Sequence, residues 1–165
     1  MSRATMRRRI NREIRREQAL IREWLGLARV YRQKALTAIS RGESASASAY
    51  FNLEQHYMEL IAREMRQIDG KMKIREVVDE AEDDYTDLEI YALARHEAQY
   101  ERERIRVLRE QANDLAIEGG RLLVRGKTAQ GLAKLQQAQE KLARAEAEEE
   151  IVTGKAIAIS ELLLD

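Results

Sequence analysis

The chain predicts an all-α fold of long antiparallel helical hairpins, four-helix-bundle-like or drawn out as an extended coiled coil, with an internal duplication as a further expectation. Three observations predict it. There is no proline in 165 residues, and 44% hydrophobic with 35% charged residues, rich in Ala, Glu, Arg, Leu and Gln, is the composition of helices carrying narrow apolar stripes. Apolar and small residues recur at threes, fours and sevens. Turn chemistry appears in matching form twice, at Arg41-Gly42-Glu43-Ser44 and at Arg125-Gly126-Lys127-Thr128.

From Ala4 to Ser40 nothing interrupts a helix, and Ile10, Ile14, Ile21, Trp24, Ala28, Tyr31, Ala35 and Ala38 form its stripe. At about 1.5 Å per residue such a helix reaches roughly 55 Å, so it needs an equally long partner. Gly42 allows the left-handed residue that ends a helix, and Ser44 is the expected N-cap of the next. That second helix buries Tyr50, Leu53, Tyr57, Leu60, Ile61, Met65 and Ile68, with Ala45, Ala47 and Ala49 permitting close approach near the turn. Asp69-Gly70 is a weak point, after which Met72, Ile74, Val77 and Val78 point to a helix that either continues or resumes beyond a kink.

Residues 76–118 read as a further helix with Leu88, Tyr91, Leu93, Tyr100, Val107, Leu108 and Leu115 inside and a candidate break near Asp83-Asp84. Gly119-Gly120 costs about 2 kcal/mol of helix propensity, so a bend or break is expected there. After the second turn an Ala-rich helix carries Leu132, Leu135, Ala138, Leu142 and Ala145, ends at Thr153-Gly154, and leaves Ala156 to Leu164 as a short apolar tail in which Ile157, Ile159, Leu162, Leu163 and Leu164 need a cover. The chain thus divides into 1–75, an N-terminal hairpin with a basic first helix, and 76–165, an acidic connecting helix and a second hairpin. Sliding the sequence by 84 positions, the separation of Gly42 and Gly126, aligns Ile21 with Ile105, Gln55 with Gln139, Gly70 with Gly154 and Lys71 with Lys155, which suggests a duplicated hairpin.

The net charge is zero, yet it is unevenly spread. Residues 1–41 hold twelve basic against three acidic side chains, and residues 76–103 hold eleven acidic against two basic ones. One end of the molecule is therefore able to seek a polyanion or an acidic segment. Arg3, Arg7, Arg8, Arg9, Arg12, Arg15 and Arg16 are the candidate anionic-surface residues, a broad cationic face beside the Met6, Ile10, Ile14 stripe. Such a helix lies on anionic headgroups or lines nucleic-acid phosphates; the plain alternative is a solvated helix whose arginines pair with Glu13, Glu17 and the acidic stretch. Twenty-two of the twenty-nine basic residues are Arg, which forks onto phosphate or carboxylate, although a GC-rich genome explains an excess that runs through the whole chain equally well.

Catalysis is not expected. Cysteine is absent, which removes disulfides, thiolate nucleophiles and Cys-type zinc sites. Leu53 and Leu93 stand three residues before His56 and His96, where a helical di-metal site needs Glu, and no phosphate loop, nucleophile elbow or calcium-loop spacing occurs. No metal, cofactor or small-molecule substrate is expected. The aromatics sit at core spacing and read as packing, not as stacking platforms. No apolar run approaches the roughly 20 residues of a membrane span, and the basic start has no apolar stretch after it, so the expectation is a soluble chain without a signal peptide.

Residues 4–80 resemble the front part of the ESCRT-III family: a basic first helix, a short turn with glycine, and a second helix opening with small residues and an aromatic. The matching text is Lys34-Ala35-Leu36 through Ser40-Arg41-Gly42, then Ala47, Ala49-Tyr50 and Ile68-Asp69. The resemblance implies monomers that polymerise side by side into filaments on anionic membranes, basic helix toward lipid. The second hairpin is not part of that pattern, and the tail lacks a recognisable motif for the family's ATPase partner.

The leading expectation is a non-enzymatic, self-assembling structural protein, a homo-oligomer that coats an anionic surface as a membrane-associated filament. The alternative is a virion or nucleoprotein component whose arginines contact packaged DNA or RNA, and the second alternative is an adaptor bundle docking an acidic protein. The corresponding locations are the cytoplasm, peripheral to a membrane, or a virion.

Overall fold

The computed structural model describes residues 1–163, and Leu164 of the expected apolar tail lies outside them. Four long helices account for nearly all of it: α1 (Arg3–Ser40), α2 (Ser44–Glu80), α3 (Asp87–Val124) and α4 (Thr128–Glu161). No strand occurs among the described residues.

α1 starts where the Ser2 hydroxyl accepts from the Thr5 amide, a side-chain cap for one of the unpaired first-turn donors. It ends at Gly42, whose φ of 72° only glycine adopts at little strain, while the Glu43 amide reaches back to the Ala38 carbonyl at 2.9 Å. The second turn repeats this with Gly126 at φ 78° and the Lys127 amide on the Leu122 carbonyl at 2.9 Å. Both turn assignments hold. Ser44 does not cap α2, however: Glu43 occupies the N-cap position and makes no side-chain cap bond. α3 has the better start, a capping box in which Thr86 and Glu89 satisfy each other's backbone amides.

α1 pairs with α2 and α3 with α4, and the two hairpins meet through α2 and α4. Arg63 of α2 contacts Glu150 of α4 at 3.4 Å, and near their C-termini Arg9 of α1, level with the end of α2, reaches the Glu161 carbonyl at 3.4 Å. α2 and α4 therefore run in the same direction. Both turns lie at one end, and the Ala81–Thr86 connector closes the other.

The core shared by all four helices sits at the connector end. Met6, Ile10 and Ile14 of α1 pack there with Ile68, Ile74 and Val78 of α2, Ile90, Ala94 and Ala98 of α3, and Ala158, Ile159 and Leu162 at the end of α4. Each large side chain buried this fully contributes about 1.5–3 kcal/mol. A second cluster, Ile105, Leu108 and Ala145, belongs to the second hairpin alone. Toward the turns each hairpin is a two-helix layer held by small residues, Ala28, Ala35 and Ala38 against Ala47 in one, Ala112 and Gly119 against Gly131 and Ala138 in the other. A Cβ on either Gly119 or Gly131 would lie 2.9 Å from the other's carbonyl oxygen.

Those small seams overturn part of the expected interior. Leu53, Met65, Leu88, Leu93, Tyr100, Val107, Leu132 and Leu142 are exposed, because close-packed helices leave room at the seam for alanine and glycine and push the larger side chains to the flanks. Ile159 and Leu162 of the expected tail are buried, and Leu163 is exposed.

None of the three candidate interruptions breaks its helix. α2 continues unbroken through Gly70, α3 through Gly119-Gly120 and α4 through Gly154 to Glu161. At Gly70 and Gly154 the reason is a crossing. A Cβ on Gly70 would fall inside the Ile151 carbonyl oxygen and 2.8 Å from the Lys155 amide nitrogen, and one on Gly154 would overlap the Gln67 backbone. The glycines let two backbones touch. The one real break is the Ala81–Thr86 connector, so Glu76, Asp79 and Glu80 belong to the last turns of α2 and not to a connecting helix.

Candidate polyanion-binding face

What fixes α1 against the bundle decides which of its arginines remain available. Lys71, next to the crossing glycine, is 1% exposed, ion-paired to Glu17 and 3.7 Å from Glu13. Lys155, next to the other crossing glycine, is 0% exposed and 3.0 Å from Glu97 and 3.4 Å from Glu101. Each of these residues stands 84 positions from its counterpart, as do Glu64 and Glu148. A buried ammonium is tolerable only with such partners, and removing one partner strands the other.

The carboxylates around the two lysines do not titrate alike. Glu101 is held below the ordinary carboxylate range, first by its hydrogen bond with Glu148 and then by the positive charges of Lys155 and Lys73, which outweigh burial. Glu148 is pushed up by that same hydrogen bond, by burial and by the charge of Glu101. Glu64 is raised mainly by burial, with the nearby charge of Glu17 adding to it. One oxygen of Glu17 and one of Glu101 are buried without a hydrogen-bond partner. These pairs clamp α1 and α3 in a fixed rotation, helped by Arg75 donating to Asn11 at 2.9 Å.

The seven N-terminal arginines then separate into two groups. Arg3 donates to the Glu82 carbonyl at 2.7 Å and pairs with Asp83 at 3.3 Å, and Arg7 lies 3.5 Å from Asp79, so the acidic end of α2 and the connector take up these two charges. Arg9 donates to the Glu161 carbonyl, a favourable place for a cation at a helix C-terminus. Arg16 pairs with Glu13 at 3.0 Å but remains exposed. Arg8 donates only within its own helix, to Ala4 and Thr5. Among the described residues no carboxylate lies within ion-pair distance of Arg8, Arg12 or Arg15, and with Arg16, Asn11 and Ala19 they line a shallow open groove on the outer side of α1.

The apolar stripe beside these arginines is consumed. Met6, Ile10 and Ile14 are at most 4% exposed, all within the shared core. A helix that inserts into a bilayer needs that stripe free. The face therefore presents charge and hydrogen-bond donors without that apolar stripe beside them.

His56 and His96 are exposed. Among the described residues no group of three or more His, Cys, Asp or Glu side chains is placed to hold a metal ion, and no described helix is long and apolar enough to cross a membrane. Tyr31 packs between Tyr50 and Tyr57, with ring centroids 6.3 and 5.8 Å away, and Lys34 sits over the Tyr31 and Tyr50 rings. No protein-family model matches the chain, and comparison with curated proteins and with solved structures finds no significant match.

Proposed function

We propose that the protein is a non-enzymatic helical structural protein that docks on a phosphate-bearing polyanion through Arg8, Arg12, Arg15 and Arg16. The observation that carries this reading is a rigidly held helix face on which guanidinium groups converge without carboxylate partners, Arg16 with its Glu13 pair excepted. Forked guanidinium donors suit phosphate oxygens, and counterion release supplies the affinity. Burial of Met6, Ile10 and Ile14 weakens the membrane form of the reading and favours nucleic-acid phosphates over lipid headgroups.

Reversing Arg8, Arg12 and Arg16 to Glu tests it. Co-sedimentation with anionic vesicles and a gel shift with duplex DNA, each at low and high salt, are expected to show salt-sensitive binding that the triple variant loses while its helical circular dichroism stays unchanged. Binding that survives the reversal sinks the reading.

Self-assembly rests on a separate observation. Phe51, Met58 and Met65 are 38%, 46% and 55% exposed and stand seven residues apart along one flank of α2, the spacing of a helix seam with no partner in the monomer. Sedimentation equilibrium of the full chain against Met58→Lys tests it, the variant being expected to lose any assembly that the parent forms. The matching crossings and buried ion pairs at an 84-residue offset support reading the chain as a duplicated hairpin.

A further inference from the structure

We infer that the polyanion site is not confined to the N-terminal cluster but is a ridge running along the outer side of α1, and that its ligand is a rod-shaped one, double-stranded nucleic acid. The inference rests on the polyanion reading above and extends it to two residues, Arg22 and Arg29.

Arg8, Arg15, Arg22 and Arg29 recur every seven residues on one unbroken helix, and all four are exposed. Seven residues fall about 20° short of two full turns, so the four side chains drift by only about 60° across the row and stay on one side of the helix. The positions between them are Arg12, Ala19 and Gly26. Arg12 adds a fifth charge. Ala19 and Gly26 keep the surface low between the guanidinium groups, and nothing lies within 4 Å of where a Cβ on Gly26 would be. Arg22 is exposed and donates only from Nε to the Gln18 carbonyl of its own helix, which leaves its terminal guanidinium donors unengaged by the described residues. Glu23 is the one carboxylate among exposed residues 18–29.

The opposite hairpin shows that this row is particular to α1. The places 84 positions on from Arg8, Arg15, Arg22 and Arg29 hold Ala92, Gln99, Arg106 and Asn113. Arg106 is neutralised by Glu103 and Glu110, which stand where α1 has Ala19 and Gly26. One outer side of the molecule is thus a line of unopposed arginines, and the other is charge-balanced.

A line selects a rod. From Arg8 to Arg29 the ridge is about 31 Å long at about 1.5 Å per residue, close to the roughly 34–36 Å of one duplex turn. A flat bilayer would meet only this one convex helix and gain no apolar contact from it. A duplex lying along the ridge meets the arginines in succession, each releasing counterions from the phosphates it neutralises.

The test is fluorescence anisotropy of a duplex DNA about three helical turns long titrated with the full-length chain across a salt series, with anionic vesicles as a parallel arm. Counting Arg8, Arg12, Arg15, Arg22 and Arg29, and not Arg16, whose charge Glu13 already offsets, the slope of log K against log salt is about −4.5, a loss of about 500-fold in affinity between about 50 and 200 mM salt. Arg22→Gln with Arg29→Gln is expected to lower the slope to about −2.7 and the loss to about 40-fold. Arg106→Gln, on the balanced side, is expected to leave both unchanged. If the Arg22/Arg29 variant keeps the parent slope, the ridge is wrong while the cluster at Arg8 to Arg16 stands. If the parent binds vesicles and not the duplex, the ligand is wrong. Binding to neither overturns the polyanion reading itself.

Discussion

Replacing Gly70 by alanine should weaken the protein, although the same change at Gly26 of α1 should strengthen it. Alanine gains about 1 kcal/mol over glycine inside a helix. At Gly70 that gain meets a backbone: the new methyl would overlap the Ile151 carbonyl oxygen and lie 2.8 Å from the Lys155 amide nitrogen, tighter than any ordinary van der Waals contact. Neither atom can swing away, so α2 and α4 must separate, and the burial of Lys71 and Lys155 on either side loosens with them. Overpacking of this kind costs about 1–3 kcal/mol, and backbone against backbone belongs at the upper end. A net loss of about 2 kcal/mol follows, or about 4–8 °C in Tm for a chain of this length. Gly26→Ala meets open space and should raise Tm by about 2–4 °C. Combining Gly70→Ala with Gly154→Ala should cost less than the two separately, since both spread one crossing. Thermal unfolding followed by circular dichroism reads the parent and every variant, and a Gly70→Ala variant as stable as Gly26→Ala would refute the close crossing.

Lys155→Met leaves buried Glu101 with Lys73, 3.6 Å away, as its one remaining cation among the described residues and should cost about 3 kcal/mol in urea unfolding, the lower end for a broken buried pair. Adding Glu101→Leu should recover most of that loss. The folded state raises the Glu148 pKa above its ordinary 4.5, so the stability linked to its proton is present below that value and is lost as pH rises through the folded one. Glu148→Gln, which stays neutral beside Glu101, should therefore be more stable than the parent at about pH 7, with the advantage shrinking toward about pH 4, as measured by Tm across pH. Gly126→Ala forces an L side chain into φ 78° and should cost about 1–2 kcal/mol, read from the urea midpoint.

Much of the architecture is legible in the amino-acid sequence. The two turns announce themselves because only glycine reaches the left-handed region cheaply, and the absence of proline lets four helices run uninterrupted between them. The interior is harder to read because size misleads. Leu88, Leu93 and Tyr100 look like core residues and are exposed, whereas Ala94 and Ala98, close by on the same helix, make the contact. Gly70 and Gly154 read as interruptions by propensity alone. Their recurrence at one offset, each followed by lysine, is the visible sign of a crossing, since a helix end has no need of a charged residue repeated beside it. Composition does not reveal the buried lysines, because their partners at Glu13, Glu17, Glu97 and Glu101 lie on other helices. Local charge density also hides part of the arginine row. It draws attention to Arg7, Arg8 and Arg9 in succession, which point in three directions, and away from a spacing of seven that keeps one direction.

The shared core lies at the connector end, so cohesion is uneven along the molecule. Near Met6 and Val78 an amide is shielded by four helices and should exchange its hydrogen only when the whole chain unfolds. Near the turns only two helices enclose each seam, and there protection should fall off toward Gly42 and Gly126. The arginine row crosses that gradient, with Arg8 and Arg15 over the firm base and Arg22 and Arg29 over the yielding part. If the row holds a duplex as proposed, the half over the shared core fixes its position and the half toward the turn is the part able to follow a bend in it.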